Sequence, residues 1–307
     1  MRADLRSVRG DLAVRVAAET NLSTCEMKTF DYAVSSCSMA FLPDSLTQTL
    51  ETLRWGYKRL PRIVRKAVRP LRNLGADFYN RRQFDRIVER TAAQISKDAQ
   101  SHPGQKLFVD CGFNAGQMLE RYVRALPEFL FYGFEINYGY FAESAVELQN
   151  RHTNILGLNF SAVSDHEGMA SFHIAGHRWG MLRAEATTIL SDFHQKQFEF
   201  FEAEIIEARS NNVPAIDFSR WLKETVARHT EPTGSKPFVV VKMDIEGAEY
   251  AVLEKLLDDG TITLVSELMV EFHTQQFDKN QRPHYARREA EIREKLSRFP
   301  VQILSWG

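Results

Sequence analysis

The sequence is poor in cysteine and has no long apolar run. Its 307 residues include only Cys25, Cys37 and Cys111, too few for a disulfide framework and without the paired spacing of a structural zinc site. No stretch approaches the roughly 20 apolar residues that a membrane-spanning helix needs. Acidic residues interrupt the first 20 positions, so neither a signal peptide nor a transit peptide fits. These absences predict a protein of a reducing compartment, the cytoplasm.

The chain also has almost no net charge, because it contains 39 Lys and Arg and 40 Asp and Glu. The balance is uneven along the chain, since residues 54–90 hold twelve basic residues against three acids. Aromatic residues at regular spacing are missing there, so a solvated helix face is favoured and no specific nucleic-acid role is predicted. We expect a poorly defined extension at residues 1–50, a basic helical segment at 51–103 and the main domain at 104–307.

The main domain alternates short apolar runs with amphipathic stretches. The runs are LFVDCG, FLFYGFE, ILGLNFSAV, FVVVKMD and ITLVSELMVEF, and helices are predicted at 116–125, 142–151 and 249–257. This order is typical of an α/β fold with a mostly parallel sheet whose strands all end at one edge, where ligands bind. The long stretch 164–236, with a helix-like pattern at 191–208, is expected to add one or two strands and part of a substrate cover.

The segment LFVDCGFNAGQM combines a buried strand ending at Asp110 with a turn bracketed by Gly112 and Gly116. Glycine permits positive φ and a close approach of ligand and backbone, and the following helix N-terminus offers free N–H groups. The loop lacks the G-x-G-x-x-G pattern of dinucleotide sites. A carboxylate beside a pyrophosphate would cost on the order of 4 kcal/mol per charge pair but would attract an ammonium equally. Asp110 therefore favours a ligand with a cationic amine, such as S-adenosylmethionine, or else it caps the next helix.

Two more acids follow the next apolar runs. Glu135 ends the second run, where an acid accepts hydrogen bonds from the ribose hydroxyls of an adenosine. Asp165 follows the third run, where a carboxylate suits an adenine amino group, although a solvated turn residue is an equal alternative. Both positions are therefore candidate cofactor contacts.

The fourth run, FVVVKMDIEGAEY, concentrates acids at the ligand-binding edge. Asp244 and Glu246 repel one another unless a cation or a proton is shared, so they are candidates for binding a substrate or accepting its proton. Glu249 is interpreted as stabilising a helix N-terminus. His273, after the fifth run, is a candidate general base or an ordinary polar residue. A metal site with Glu271 is chemically allowed, but the spacing does not require one and no metal is predicted.

Together, the tracts VDCGFNAGQ, FEIN, AVSDHEG, IDFSRWL, VKMDIEGAE and VEFH resemble the FkbM-type methyltransferases. The hallmark of that family is a K-x-D-x-E-G-x-E tract on the fourth strand. The resemblance runs from about residue 106 to 273 and implies a Rossmann-like class I methyltransferase fold. The helical pattern that precedes the main domain adds the expectation of an N-terminal helical extension. The resemblance also implies S-adenosylmethionine as cofactor and methylation of a hydroxyl group on a sugar or other small-molecule or glycan acceptor.

Position by position, the resemblance implies a methionine-binding loop formed by Asp110, Gly112, Asn114 and Gly116. It implies that Glu135 takes the ribose and Asp165 the adenine end, and that the reaction centre is at Asp244 and Glu246. Four features depart from the family pattern. Asn137 stands where a proline-containing E-P-N turn is common, and the stretch 164–236 is long. The N-terminal hundred residues have no counterpart, and the chain stops at VQILSWG, before the last strand expected of a seven-stranded sheet. Two alternatives to a methyltransferase stay open. The first is a Rossmann-like binding module that has lost catalysis, and the second, less favoured, is a nucleotide-sugar or NAD-dependent enzyme.

Overall fold

The computed structural model describes residues 84–176, 182–190 and 211–305. The predicted extension at 1–50, most of the predicted helical segment at 51–103 and the helix-like stretch 191–208 lie outside these ranges. The chain divides into two compact units, residues 1–84 and 85–307, and the description below concerns the second.

Ten strands and six α-helices make up the described ranges. In chain order they are α1 (84–99), β1 (Lys106–Cys111), α2 (Gln117–Ala125), β2 (Leu130–Glu135), α3 (Tyr138–Arg151), β3 (Ile155–Phe160), β4 (Ala162–Ser164), β5 (Gly168–Gly176), β6 (Leu182–Thr188), β7 (Asn211–Asp217), α4 (Phe218–Thr230), β8 (Phe238–Met243), α5 (Glu249–Asp258), β9 (Glu267–Val270), α6 (Arg282–Leu296) and β10 (Gln302–Ile303). Short 3-10 turns span Thr261–Leu264 and Thr274–Gln276. None of the described helices is long and apolar enough to cross a membrane.

The central sheet has six strands in the order β10-β9-β8-β1-β2-β3, all parallel to their neighbours. The chain moves outward from β1 to β3 and then returns to the other side of β1 at β8. This reversal creates the crevice at which open α/β sheets bind ligands. The Rossmann-like α/β fold is thereby confirmed.

Both faces of the sheet are covered, as the unbroken apolar runs predict. Leu107 and Val109 belong to one buried cluster, which includes Phe218 of α4. Phe108 between them belongs to the other, with Val88 of α1. The alternation follows from the two-residue period of a strand, and it buries β1 from Leu107 to Cys111.

The long stretch 164–236 forms most of a second sheet, in the order β4-β7-β5-β6. Three strands, β5, β6 and β7, come from the stretch, one more than the upper number expected. The tract IDFSRWL ends β7 and starts α4, where the side chain of Asp217 accepts a hydrogen bond from the backbone N–H of Arg220. Only Ser161 separates β3 from β4, so the second sheet begins where β3 of the central sheet ends.

Element boundaries differ from expectation near the C-terminal end of the described chain. The run ITLVSELMVEF is divided between a 3-10 turn and β9, because Gly260 adopts φ +74° and turns the chain after α5. The tract VQILSWG contributes β10, which pairs with β9. Its residues Gln302 and Ile303 are both exposed, so this strand has no apolar pattern that a sequence could display.

Candidate active site

The loop after β1 depends on glycine at two points. Gly112 has φ +87° and Gly116 has φ +80°, a region that side chains other than glycine rarely adopt. A Cβ atom on Gly112 would lie 1.9 Å from the carbonyl oxygen of Asp244. The loop therefore packs directly on the end of β8, and Gly116 begins α2 as its N-cap residue.

Glu135, the last residue of β2, holds this loop in place. Its Oε2 accepts a hydrogen bond from the backbone N–H of Asn114 at 3.0 Å. Its Oε1 accepts two more from Ile136 and Asn137, both at 2.9 Å. Burial raises the pKa of Glu135, and these three backbone bonds oppose the rise. The carboxylate thus links the glycine loop to the tip of β2.

A pocket opens at the crevice between these elements. It is lined by loop, strand-end and apolar residues, namely Gly112, Asn114, Phe134, Glu135, Ile136, Ser161, Ala162, Val163, Ile189, Asp244, Ile245, Glu246 and Ala248. Five predicted site residues therefore share one pocket. Asp165 lines an adjoining cavity of about 390 Å³, which shares Ile189 and Ala248 with the pocket.

Asp110 faces a partner that the sequence reasoning missed. Its Oδ1 lies 2.8 Å from the Nζ atom of Lys242, and both side chains are buried. Burial raises the pKa of Asp110, whereas the ammonium of Lys242 lowers it. The carboxylates of Asp110 and Asp244 outweigh burial and raise the pKa of Lys242. Within the described chain, Oδ2 of Asp110 has no hydrogen-bond partner. The only sequence signal for this pair is the lysine that opens the K-x-D-x-E-G-x-E tract.

His273 and four carboxylates form a compact group, which we call the carboxylate–histidine cluster: Asp244, Glu246, Glu249, Glu271 and His273. The Nε2 atom of His273 lies 3.5 Å from Oδ1 of Asp244, 3.7 Å from Oε2 of Glu246 and 3.9 Å from Oε1 of Glu271. The backbone of Glu246 has φ +50°, and its carbonyl oxygen accepts a hydrogen bond from the Thr188 hydroxyl at 2.6 Å. The structure thus brings all three predicted catalytic residues together.

Glu249 has a larger role than the helix-end stabilisation predicted for it. Its Oε1 accepts the backbone N–H of His273 at 3.0 Å and lies 3.2 Å from the ring Nδ1. Its Oε2 accepts the backbone N–H of Gly247 at 2.8 Å. Because Glu249 contacts Nδ1, the opposite nitrogen, Nε2, points toward Asp244 and Glu246. Only the position of Glu249 at the end of the family tract gave a signal for this role.

Charge is concentrated in the carboxylate–histidine cluster, and the side chains of Glu246, Glu249 and His273 are largely buried. Burial, aided by the neighbouring carboxylates and opposed by His273, raises the pKa of Glu246 to about 8. Burial lowers the pKa of His273, but the hydrogen bond to Glu249 and the charges of three carboxylates outweigh it and raise this pKa to about 10. Such a site favours positive charge.

Comparison with known proteins agrees with this geometry. The sequence profile of the methyltransferase FkbM domain matches residues 110–299, which is 190 of the 307 residues and includes the glycine loop, Glu135 and the whole cluster. The chain matches no curated protein and no solved structure. With the matched span covering more than half of its length, the chain belongs to the FkbM methyltransferase family.

Proposed function

We propose that this methyltransferase uses S-adenosylmethionine to methylate a hydroxyl group of a sugar, a glycan or another small molecule. The observation that carries the proposal is one pocket whose lining includes Gly112 and Asn114 of the glycine loop, Glu135, Asp244 and Glu246. Residues suited to bind a nucleoside thus share this pocket with two acids, and His273 lies within 3.7 Å of both acids. A cytoplasmic location stays a prediction from the cysteine count.

The lining residues fit the cofactor. A carboxylate offers about four lone-pair sites, and Glu135 uses two on Oε1 and one on Oε2, which leaves one on Oε2 for a ribose hydroxyl. Ile136, Val163 and Ile189 supply apolar surface for an adenine ring. Gly112 keeps the loop free of a side chain beside β8.

Two of the predicted acidic cofactor-binding residues, Asp110 and Asp165, do not line this pocket. In the fold, Asp110 is paired with Lys242. A contact with the methionyl ammonium would have to use its second oxygen, Oδ2. Asp165 is predicted to hold the adenine end from the adjoining cavity.

When bound, S-adenosylmethionine supplies a methyl group already activated by a sulfonium. The protein then has to orient the acceptor hydroxyl and remove its proton late, so positioning provides most of the rate enhancement. Asp244 and Glu246 line the pocket and are the first candidate proton acceptors. The predicted base His273 does not line it, and its Nε2 lies 3.5 Å from Asp244 and 3.7 Å from Glu246. Glu249 acts as a positioning residue because it holds the ring of His273.

Isothermal titration with S-adenosylhomocysteine tests the proposal. We expect micromolar binding to the wild-type protein and at least tenfold weaker binding to Glu135→Ala, about 1.4 kcal/mol. Glu143→Ala, an exposed carboxylate of α3 outside the pocket, is the matched control and is expected to bind normally. Absence of binding by folded wild-type protein would overturn the cofactor assignment. Binding without turnover in a screen of hydroxylated acceptors would favour the degenerate-module alternative.

A further inference from the structure

The carboxylate–histidine cluster contains the donor set of a metal site. Asp244 and Glu246 follow β8, and His273 follows β9. One ligand atom from each of these three residues lies within 4.8 Å of the other two. The residues come from two neighbouring strand ends, so the fold and not a flexible loop sets their separation.

The distances around Nε2 of His273 suit a shared ion. Two ligands bound about 2.1 Å from a tetrahedral ion are roughly 3.4 Å apart. The observed separations are 3.5 Å to Oδ1 of Asp244 and 3.7 Å to Oε2 of Glu246. Both exceed ordinary hydrogen-bond lengths, so neither oxygen is held in a close hydrogen bond with Nε2, and the third separation lies within 4.8 Å.

The histidine is already oriented as a ligand. Metal-binding histidines usually donate their second ring nitrogen to a carboxylate, which fixes the tautomer and the ring. Glu249 takes this position at 3.2 Å from Nδ1, with both side chains almost fully buried. This contact directs Nε2 into the cluster.

An unsatisfied atom points to the same place. Oε2 of Glu246 is buried and accepts no hydrogen bond from any residue in the described ranges. Buried carboxylate oxygens normally have a partner, and each exception requires an explanation. A metal ion bound at Nε2 of His273 in place of the ring proton would supply that partner and would offset the repulsion between Glu246 and Asp244.

We propose that Asp244, Glu246 and His273 bind one divalent cation. A mixed set of carboxylate oxygens and an imidazole nitrogen suits Mn²⁺ or Zn²⁺ better than Ca²⁺ or Mg²⁺, which prefer oxygen alone. Glu271, half exposed and 3.9 Å from Nε2, lies at the rim as a fourth ligand. The proposal departs from the sequence-based expectation of no metal, because spacing along the chain did not show that the three side chains meet.

The site also narrows the acceptor, an extension that rests on the proposed function. Asp244 and Glu246 line the pocket, so an ion that they held would have coordination positions open to an acceptor bound there. Two adjacent hydroxyl oxygens on one molecule would fill such positions together. The acceptor class that fits is therefore a vicinal diol, as sugars present.

Titration of metal-free, full-length protein with MnCl₂, and separately with ZnCl₂, tests the site. We expect one ion per chain and at least tenfold weaker binding to Asp244→Asn. Asp258→Asn is the matched control, since this exposed carboxylate lies at the opposite end of α5 from Glu249, and it is expected to bind as the wild type does. Wild-type protein that binds neither ion, or equal losses in both variants, would overturn the proposal.

Paramagnetic resonance of the Mn²⁺ complex gives a second readout that does not depend on a variant being well folded. We expect ¹⁴N modulation from Nε2 of His273 in the wild-type spectrum, and its absence would overturn the assignment of His273 as a ligand. Titration of the same preparation with S-adenosylhomocysteine separates the two proposals. Cofactor binding without metal binding would refute only the metal site, whereas metal binding without cofactor binding would refute only the cofactor assignment.

Discussion

The buried pair of Asp110 and Lys242 gives the sharpest test of what the family tract does in this fold. Nζ of Lys242 lies 2.8 Å from Oδ1 of Asp110, and the two side chains are 3% and 0% exposed. The residues are also direct partners in the register of β1 and β8. We therefore predict that Lys242→Met severely destabilises the protein, because it leaves the Asp110 charge buried without its cation.

The expected size follows from this burial. Removing one member of a buried ion pair costs about 3–5 kcal/mol. For a domain of this size each kcal/mol lowers the melting temperature by roughly 2–4 °C, so the variant is expected to melt about 6–20 °C below the wild type. Replacing both members with apolar residues, as in Asp110→Val with Lys242→Met, removes the stranded charge and is expected to recover most of the loss.

Urea unfolding of the wild type, the single variants and the double variant provides the measurement. The four free energies of unfolding form a double-mutant cycle, and we expect a coupling energy above about 2 kcal/mol. A Lys242→Met variant within 1 kcal/mol of the wild type, or a double variant no more stable than the single one, would refute the assignment of Lys242 to a structural pair.

Two further predictions concern the glycine loop and a buried acid. In urea unfolding, Gly112→Ala is expected to lower the free energy of unfolding by about 2 kcal/mol or more, because its Cβ would meet the Asp244 carbonyl oxygen at 1.9 Å. The control Gly139→Ala, at a helical position with no atom within 4 Å of the Cβ, is expected to leave that free energy unchanged or to raise it. Equal effects of the two substitutions would contradict this prediction. Burial, with the negative charge of the nearby Asp98, raises the pKa of Glu267 to about 8. The neutral form is therefore favoured in the fold, and the free energy of unfolding falls as pH rises from about 4.5 to 8. In thermal unfolding, Glu267→Gln is therefore expected to have the same free energy of unfolding as the wild type near pH 4, and one higher by on the order of 2 kcal/mol at pH 9. A difference between the two proteins that does not change with pH would refute the raised pKa.

Local patterns were enough to predict much of this fold. The apolar runs around Val109 and Val240 identified covered parallel strands, and the observed helices α2 and α5 lie within a residue of their predicted bounds. The glycine loop could also be predicted from the sequence, since positive φ at Gly112 depends on that residue and its neighbours in the chain. By contrast, β10 left no signal because its two residues pair through the backbone and face solvent.

The sequence by itself determined which residues lie at strand ends, because strand period and crossover rules act over short distances and place all parallel ends at one edge. Only the tertiary structure decided which of these residues meet. Asp110 and Lys242 are separated by 132 positions, and the contact of Glu249 with His273 spans two different strand ends. Such contacts depend on sheet register and packing, which no local pattern records. The assignment of Asp110 to a structural pair and the convergence of Asp244, Glu246 and His273 on one point both follow from that geometry.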